Sequence, residues 1–561
     1  MTAMLVLFVG TAWHLLVVQN ADTLHQAQEE SLFLCNRDFL QSQLNEPGGI
    51  YSWLGRLCTQ FFYHPGVGAA LLIGLWLMVW ATARKAFRLH PSRSALTLLP
   101  LFALLASELQ TGYQIYTLRM PDYWFTPTLF CLSIMLLALC GTGLGRWGRL
   151  AWQLLCLMAG IVLTYRYIIL VQMPQALQAS LLLAAWATLL LPLAALLPIP
   201  VSKGCKTAEW LLLAALTLAG CICSETSQFC NRNYRAEMQM RRALMEADWD
   251  SVLQLADNDG GPMTREMWLE RQVALLNLKP TAPSSIALTR LGDDLFGCEV
   301  ETTRPVAAHQ EEIHLIETAG PWLYFFNGRM QFAYRWAMED MVEYGPTVSR
   351  LKLLSMYAIA SGERELACKY LDILRQTTFH STWAQQQYEL LADSTSLSRH
   401  PLYRSAIALH RDMSDILDGD ESMPEHYLIT TSASMSKAQT PLLREACLAY
   451  ALQTRNPAWF WHRLEQWTEA VAPDSAAVDA LRLPRHIEEA VILYSHLSPN
   501  PSGRTFHVDP SQQQQYEAFN HEMQQMAQQG MTQSTIAHRL KHQYGRTFWW
   551  YIYFGQGQEQ Y

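Results

Sequence analysis

The chain has 561 residues, half of them apolar and only 16% charged, with a net charge of −8. Duplex nucleic acid is held by clustered Lys and Arg that displace counterions, and no basic run exceeds the length of Arg84-Lys85, so the chain reads as no nucleic-acid binder. A mean hydropathy of +0.02 averages two unlike parts, a Leu-, Ala- and Trp-rich region up to about residue 223 and a charged region beyond it. That pattern excludes a purely cytosolic enzyme, a disordered or collagenous chain, and a β-barrel, whose strands would alternate.

Crossing a hydrocarbon layer of ~30 Å takes roughly 17–25 apolar residues, and seven stretches qualify in approximate terms: Met1 to Val18, Val67 to Ala83, Ala95 to Tyr113, Pro127 to Gly143, Leu150 to Val171, Ala179 to Pro198 and Ala208 to Cys223. The first lacks the basic n-region and small-residue cleavage site of a signal peptide and reads as a retained helix. Loops on one side carry Arg84, Lys85, Arg88, Arg93, Arg146, Arg149, Lys203 and Lys206; the opposite loops carry only Arg37, Arg56 and Arg119. Positive residues stay cytoplasmic, so the chain is expected in the cell inner membrane as a multi-pass protein. Residues 224–561 then follow the transmembrane domain 1–223 as a periplasmic domain.

The long outer loop 19–65 carries Asp22, His25, Glu29, Glu30, Arg37 and Asp38, a turn at Pro47-Gly48-Gly49, and an amphipathic interfacial helix from Tyr51 to Tyr63. Acids at the water-lipid boundary can serve as a general base or hold a divalent cation; they can equally form a solvated helix face. Within the spans, a charge needs a partner or a wet cavity. Glu108 falls near the outer end of the third stretch and Arg166 near the outer end of the fifth, with Arg119 and Asp122 in the outer loop between the third and fourth. A structural Glu108–Arg166 pair is one reading. The other is a cavity in which Arg166 and Arg119 meet a lipid phosphate, since guanidinium forks match phosphate oxygens.

From Ser224 onward the periodicity is helical throughout, and one repeat is visible: Gly328 and Ala333 recur thirty-four residues later as Gly362 and Ala367. That spacing resembles a tetratricopeptide array, so the expected fold is all-α, a polytopic membrane helix bundle followed by an irregular tetratricopeptide-like α-solenoid with a concave surface for protein partners. The terminal Phe548-Trp549-Trp550-Tyr551-Ile552-Tyr553-Phe554 has the composition of an extended segment, either an interfacial anchor or a strip packed over the last helices. The twelve cysteines show no zinc spacing, although Cys221 and Cys223 form a C-x-C pair.

Glu29-Glu30-Ser31-Leu32-Phe33, Pro47-Gly48-Gly49-Ile50-Tyr51 and Gln60-Phe61-Phe62-Tyr63 resemble the start of an uncharacterised family of multi-pass Bacteroidota inner-membrane proteins, a domain of unknown function. Leu483-Pro484-Arg485-His486-x-Glu488-Glu489-Ala490 and Gly545-Arg546-Thr547-Phe548-Trp549-Trp550-Tyr551 continue the likeness, as does Ala367-x-x-Tyr370-Leu371. More distantly, the architecture resembles the membrane module of the GT-C glycosyltransferases, whose long first outer loop carries an acidic motif and some of which end in tetratricopeptide repeats. That resemblance implies transfer of a sugar from a polyprenyl-phosphate-linked glycan at the outer leaflet, with Glu29 or Glu30 as catalytic base or metal ligand and Arg166, Arg119, Glu108 and Asp122 lining the substrate site. The alternative is a non-enzymatic inner-membrane scaffold whose helical-repeat domain binds envelope or secretion partners.

Overall fold

The computed structural model describes residues 2–45, 48–87, 96–109, 111–116, 121–171, 232–258, 263–277, 300–301, 319–410, 441–472 and 481–554. Most of them are helical, and strand among them is limited to the two-residue parallel pairing of Met263–Thr264 with Val300–Glu301. The described residues divide into two compact units. One comprises 2–242 and 337–393; the other comprises 243–301, 319–336 and 394–554. The expected boundary near residue 223, the Cys221–Cys223 pair and the sixth and seventh apolar stretches lie outside the described residues.

The first unit opens with α1 (Thr2–Trp13), extended by a π-helical turn His14–Val18, and α2 (Ala21–Glu29), with α3 (Arg37–Leu44) and α4 (Gly49–Thr59) after it. Then come the apolar helices α5 (Pro65–Phe87), α6 (Leu99–Glu108), α7 (Thr126–Cys140) and α8 (Arg146–Val171). Later helices of this unit include α9 (Val348–Ala360), α10 (Arg364–Arg375) and α11 (Ser381–Ala392).

The expectation of about seven crossing helices is corrected here. Among the described residues two helices, Pro65–Phe87 and Thr126–Gly143, are long and apolar enough to cross a membrane, and a third results if Leu5–Val18 and Ala21–Glu29 count as one broken span. That pair bends by 65°. The break has a local cause: the backbone leaves helical geometry at Asn20, whose side-chain amide donates to the Leu15 carbonyl at 2.7 Å and satisfies an acceptor the π turn releases. The third stretch yields only the shorter apolar segment Leu96–Glu108, which at 1.5 Å per residue reaches roughly 20 Å, short of the layer that the larger count assumed; in the fifth, the apolar segment Trp147–Val162 is part of the 26-residue helix α8.

Aromatic packing centres this unit on fully buried Trp76 of α5, which donates to Thr128 Oγ1 at 2.9 Å and meets Phe8 of α1 at 6.0 Å between ring centroids. Phe62, also fully buried, packs on Trp124 and Phe125. Apolar side chains on α7 and α8 remain exposed, among them Leu137, Leu155 and Val162. An apolar surface of that kind suits lipid contact.

In the second unit the three residues Asn327, Gly328 and Arg329 join Gly320–Phe326 to the helix that begins at Met330, with Gly328 at φ +80°. In the first unit Gly362 holds φ +78° between α9 and α10. Both carbonyl-rich turns need the left-handed backbone that glycine adopts without strain, and Ala333 and Ala367 are fully buried where helix pairs close.

The second unit ends in α12 (Arg485–Leu497), α13 (Pro510–Gln528), α14 (Gln533–Tyr544) and α15 (Phe548–Phe554). The aromatic tail is thus helical and not extended. Thr547 starts it, its hydroxyl accepting from the Trp550 N–H at 3.3 Å, and the buried carboxylate of Glu489 on α12 accepts from the Phe548 N–H at 2.8 Å. Phe548 and Trp549 are fully buried, with Trp549 against Tyr516 and Phe519 of α13. Packing of these large rings overrides the β-propensity of the string.

Candidate functional site

Glu29 and Glu30 close the C-terminal end of α2, a helix whose Thr23 to Glu29 are all buried despite their polarity. Burying a carboxylate costs several kcal/mol without a partner, and α9 supplies two. The Lys352 ammonium lies 2.6 Å from Glu29 Oε1, and the Arg350 guanidinium lies 3.8 Å from Glu30 Oε2. Glu30 also accepts from the Gln26 amide at 3.0 Å. Arg350 is fixed by donating to the carbonyls of Tyr116 at 3.0 Å and Gly345 at 3.1 Å. The Ser31 carbonyl accepts from the Val348 N–H at 3.4 Å, so the acidic end of α2 and the start of α9 are joined through backbone as well.

His380, at the start of α11, completes the cluster. Its Nδ1 is 3.9 Å from Glu29 Oε1, and its Nε2 lies 2.8–3.1 Å from the Gln28 amide group. Gln28 donates in turn to Gln60 Oε1 at 3.3 Å. Around this core Tyr63 stacks on Phe379 at 5.0 Å, and Lys352 sits 5.6 Å from the Trp383 ring. Glu29 is 1% exposed and His380 2%. Glu29 Oε2 is buried with no hydrogen-bond partner.

Burial alone would raise the Glu29 carboxyl, but the Lys352 charge and its hydrogen bond, with His380 and His25 nearby, hold it at about 2 against an ordinary 4.5. Burial lowers His380 to about 3, only partly offset by Glu29. At neutral pH the cluster therefore holds an ionised Glu29 and a neutral His380. Burial raises Glu30, helped by the Glu29 charge and opposed by Arg350. Such a set could pass protons, but its groups are sealed from solvent. The Lys352 ammonium also takes the position beside Glu29 that a divalent cation would use. Among the described residues no group of three His, Cys, Asp or Glu side chains is placed to hold a metal ion.

Of the remaining candidates, only the Glu108 side chain lies within the described residues. Glu108, at the end of α6, is fully buried and neither carboxylate oxygen has a hydrogen-bond partner. Its neighbour Ser107 pairs with the Tyr123 hydroxyl at 2.5 Å. Asp122 lies on the 3₁₀ turn Pro121–Trp124 and Arg166 on α8, but the side chains of both lie outside the described residues, as does all of Arg119.

Lys352, Arg350 and His380 were not anticipated from the sequence. For Lys352 a signal existed: it falls within the buried stripe Val348, Leu351, Ser355, Ile359 of α9, where a cation requires a buried acid. Its separation of 323 residues from Glu29 left nothing local to name that acid.

These features define a predominantly helical protein in which, among the described residues, two or three apolar helices could cross a membrane and a buried acid-base cluster ties two distant stretches of one unit together. The chain belongs to a family of unknown function, DUF6057, whose model matches residues 1–555. No curated protein and no solved structure matches it.

Proposed function

We propose that the chain is a multi-pass inner-membrane scaffold, its helical-repeat part facing the periplasm and offering tetratricopeptide-like surfaces to protein partners of the envelope. One observation carries the choice: Glu29, the best-placed candidate base, is sealed and consumed by Lys352 at 2.6 Å. A general base must reach a substrate proton within hydrogen-bond distance, whereas a buried ion pair serves to hold α2 and α9 in one arrangement.

The second reading, a glycosyltransferase acting on a polyprenyl-phosphate-linked sugar at the outer leaflet, draws on a different observation. Glu29 Oε2 lacks a hydrogen-bond partner, and the carboxyl is held ionised, as a base would be. On that reading Arg166 and Arg119 hold the phosphate, with Glu108 and Asp122 beside it.

The paired variant Glu29→Gln with Lys352→Met separates the two, because it removes both charges while keeping side-chain length. A scaffold carrying it melts near the wild type and complements a deletion strain fully. An enzyme using Glu29 folds and fails to complement. Normal folding without complementation would therefore overturn the scaffold reading.

A further inference from the structure

A groove of about 510 Å³ runs between α1 and α5, lined by Leu5, Val6 and Val9 on one side and Leu77, Trp80 and Ala81 on the other. It is almost wholly apolar and open at the surface: Val6 is 67% exposed and Met78 at its edge 49%. Along α5, Leu77, Trp80, Ala81 and Arg84 fall at i, i+3, i+4 and i+7, so one helix stripe leads from the groove directly to a cation. About 10 Å separates Leu77 from Arg84 along the axis. The Arg84 guanidinium lies over the Trp80 ring at 5.5 Å, bridging groove and charged end. Lys85 follows, also exposed. Neither cation has a carboxylate partner among the described residues, and together they exceed the roughly half negative charge of the helix terminus they cap.

We propose that this groove binds an anionic phospholipid, one acyl chain lying between α1 and α5 and the phosphate against Arg84 and Lys85. The volume is within the about 300–1,000 Å³ of small-molecule sites, and an apolar trough ending in two unpaired cations at the end of a span matches the charge and polarity order of such a lipid. The inference rests on α5 crossing the membrane and is independent of whether the chain is scaffold or enzyme. A second copy of the chain, docking its own helix in the groove, is the competing occupant.

The test uses the full purified chain in vesicles of phosphatidylglycerol or phosphatidylcholine, with retained lipid counted by native mass spectrometry. The wild type retains phosphatidylglycerol selectively and melts higher in it. At about 1 kcal/mol per basic residue near an anionic surface, Arg84→Gln with Lys85→Gln weakens retention about ten- to thirty-fold, with the melting temperature in phosphatidylcholine unchanged as the folding control. Ala81→Trp, which fills the trough and leaves both charges, also lowers retention. Retention insensitive to Ala81→Trp means diffuse attraction to the headgroups and overturns the proposal, as does retention insensitive to the double charge variant. Efficient disulfide-linked dimers from Met78→Cys would assign the groove to a second copy and overturn it equally.

Discussion

Replacing Lys352 by Met keeps the length of the side chain on α9 and removes the charge that Glu29 depends on. At an effective dielectric of about 20, two unit charges about 4 Å apart attract by about 4 kcal/mol, and breaking one side of a buried pair typically costs about 3–5 kcal/mol because the survivor stays buried and uncompensated. The titration of Glu29 gives a similar figure. A carboxyl held at about 2 in the folded chain and 4.5 in the unfolded one contributes about 3 kcal/mol at neutral pH. That contribution is fully present above pH 4.5 and is lost as pH falls through 2. For a unit of this size the single variant should melt about 10 °C lower at pH 7, read by circular dichroism of the purified protein in detergent. The deficit should shrink below about pH 4.5, where protonation of the orphaned Glu29 relieves it, and adding Glu29→Gln should recover most of it at pH 7. A single variant melting within about 2 °C of the wild type would refute the argument, because Glu29 would then have another counter-charge.

His380, held neutral by burial at about 3 against 6.5 in the unfolded chain, makes folding acid-labile: the unfolded state takes up the proton first, so stability should fall as pH drops from about 6.5 towards 3. His380→Asn should flatten melting temperature between pH 7 and 5, with Glu29, His25 and Lys352 still facing the site. The two repeat glycines share a backbone conformation and differ in surroundings. A Cβ at Gly362 meets nothing within 4 Å, whereas one at Gly328 would lie 2.7 Å from the His410 backbone nitrogen; Gly362→Ala should cost about 1–2 kcal/mol and Gly328→Ala clearly more in parallel denaturant titrations. Glu489→Ala removes the acceptor for the Phe548 N–H, for His486 at 2.9 Å and for Arg485 at 2.9 Å. It should lower stability by about 1–3 kcal/mol and quicken proteolysis within 548–554.

Helical periodicity made most of these elements legible, because burying one face fixes spacing at 3.6 residues. Hydropathy alone overcounted the spans found among the described residues. The stretch around Leu96–Glu108 is apolar, yet Leu109 leaves the helix and Gly112 takes a positive φ of 47°, which ends the segment before it is long enough. Composition also misread the aromatic tail, since Phe and Trp favour strands only where a pleated surface receives them, and here α12 and α13 offer a helical surface with Glu489 to start a turn. Glu29 and Glu30 were legible as an acidic pair entering an apolar run. Their partners were not, because no local pattern records that residues 350, 352 and 380 fold back onto 29 and 30.

The same device recurs within each unit. In the first, Glu29 and Glu30 bind α9 and α11 to the end of α2; in the second, Glu489 binds the start of α15 to α12. In each case a carboxylate with almost no exposure receives donors from a segment remote in sequence, which apolar packing alone would position less sharply: a Leu tolerates sliding by a fraction of a turn, while a buried carboxylate displaced from its donors loses about 1–3 kcal/mol for each bond. That asymmetry explains why Glu29, Glu30 and Glu489 lie at junctions between distant segments. It also sets the standard an enzymatic role for Glu29 must meet, since a substrate could engage its free Oε2 only by opening the contact between α2 and α9 that Lys352 holds shut.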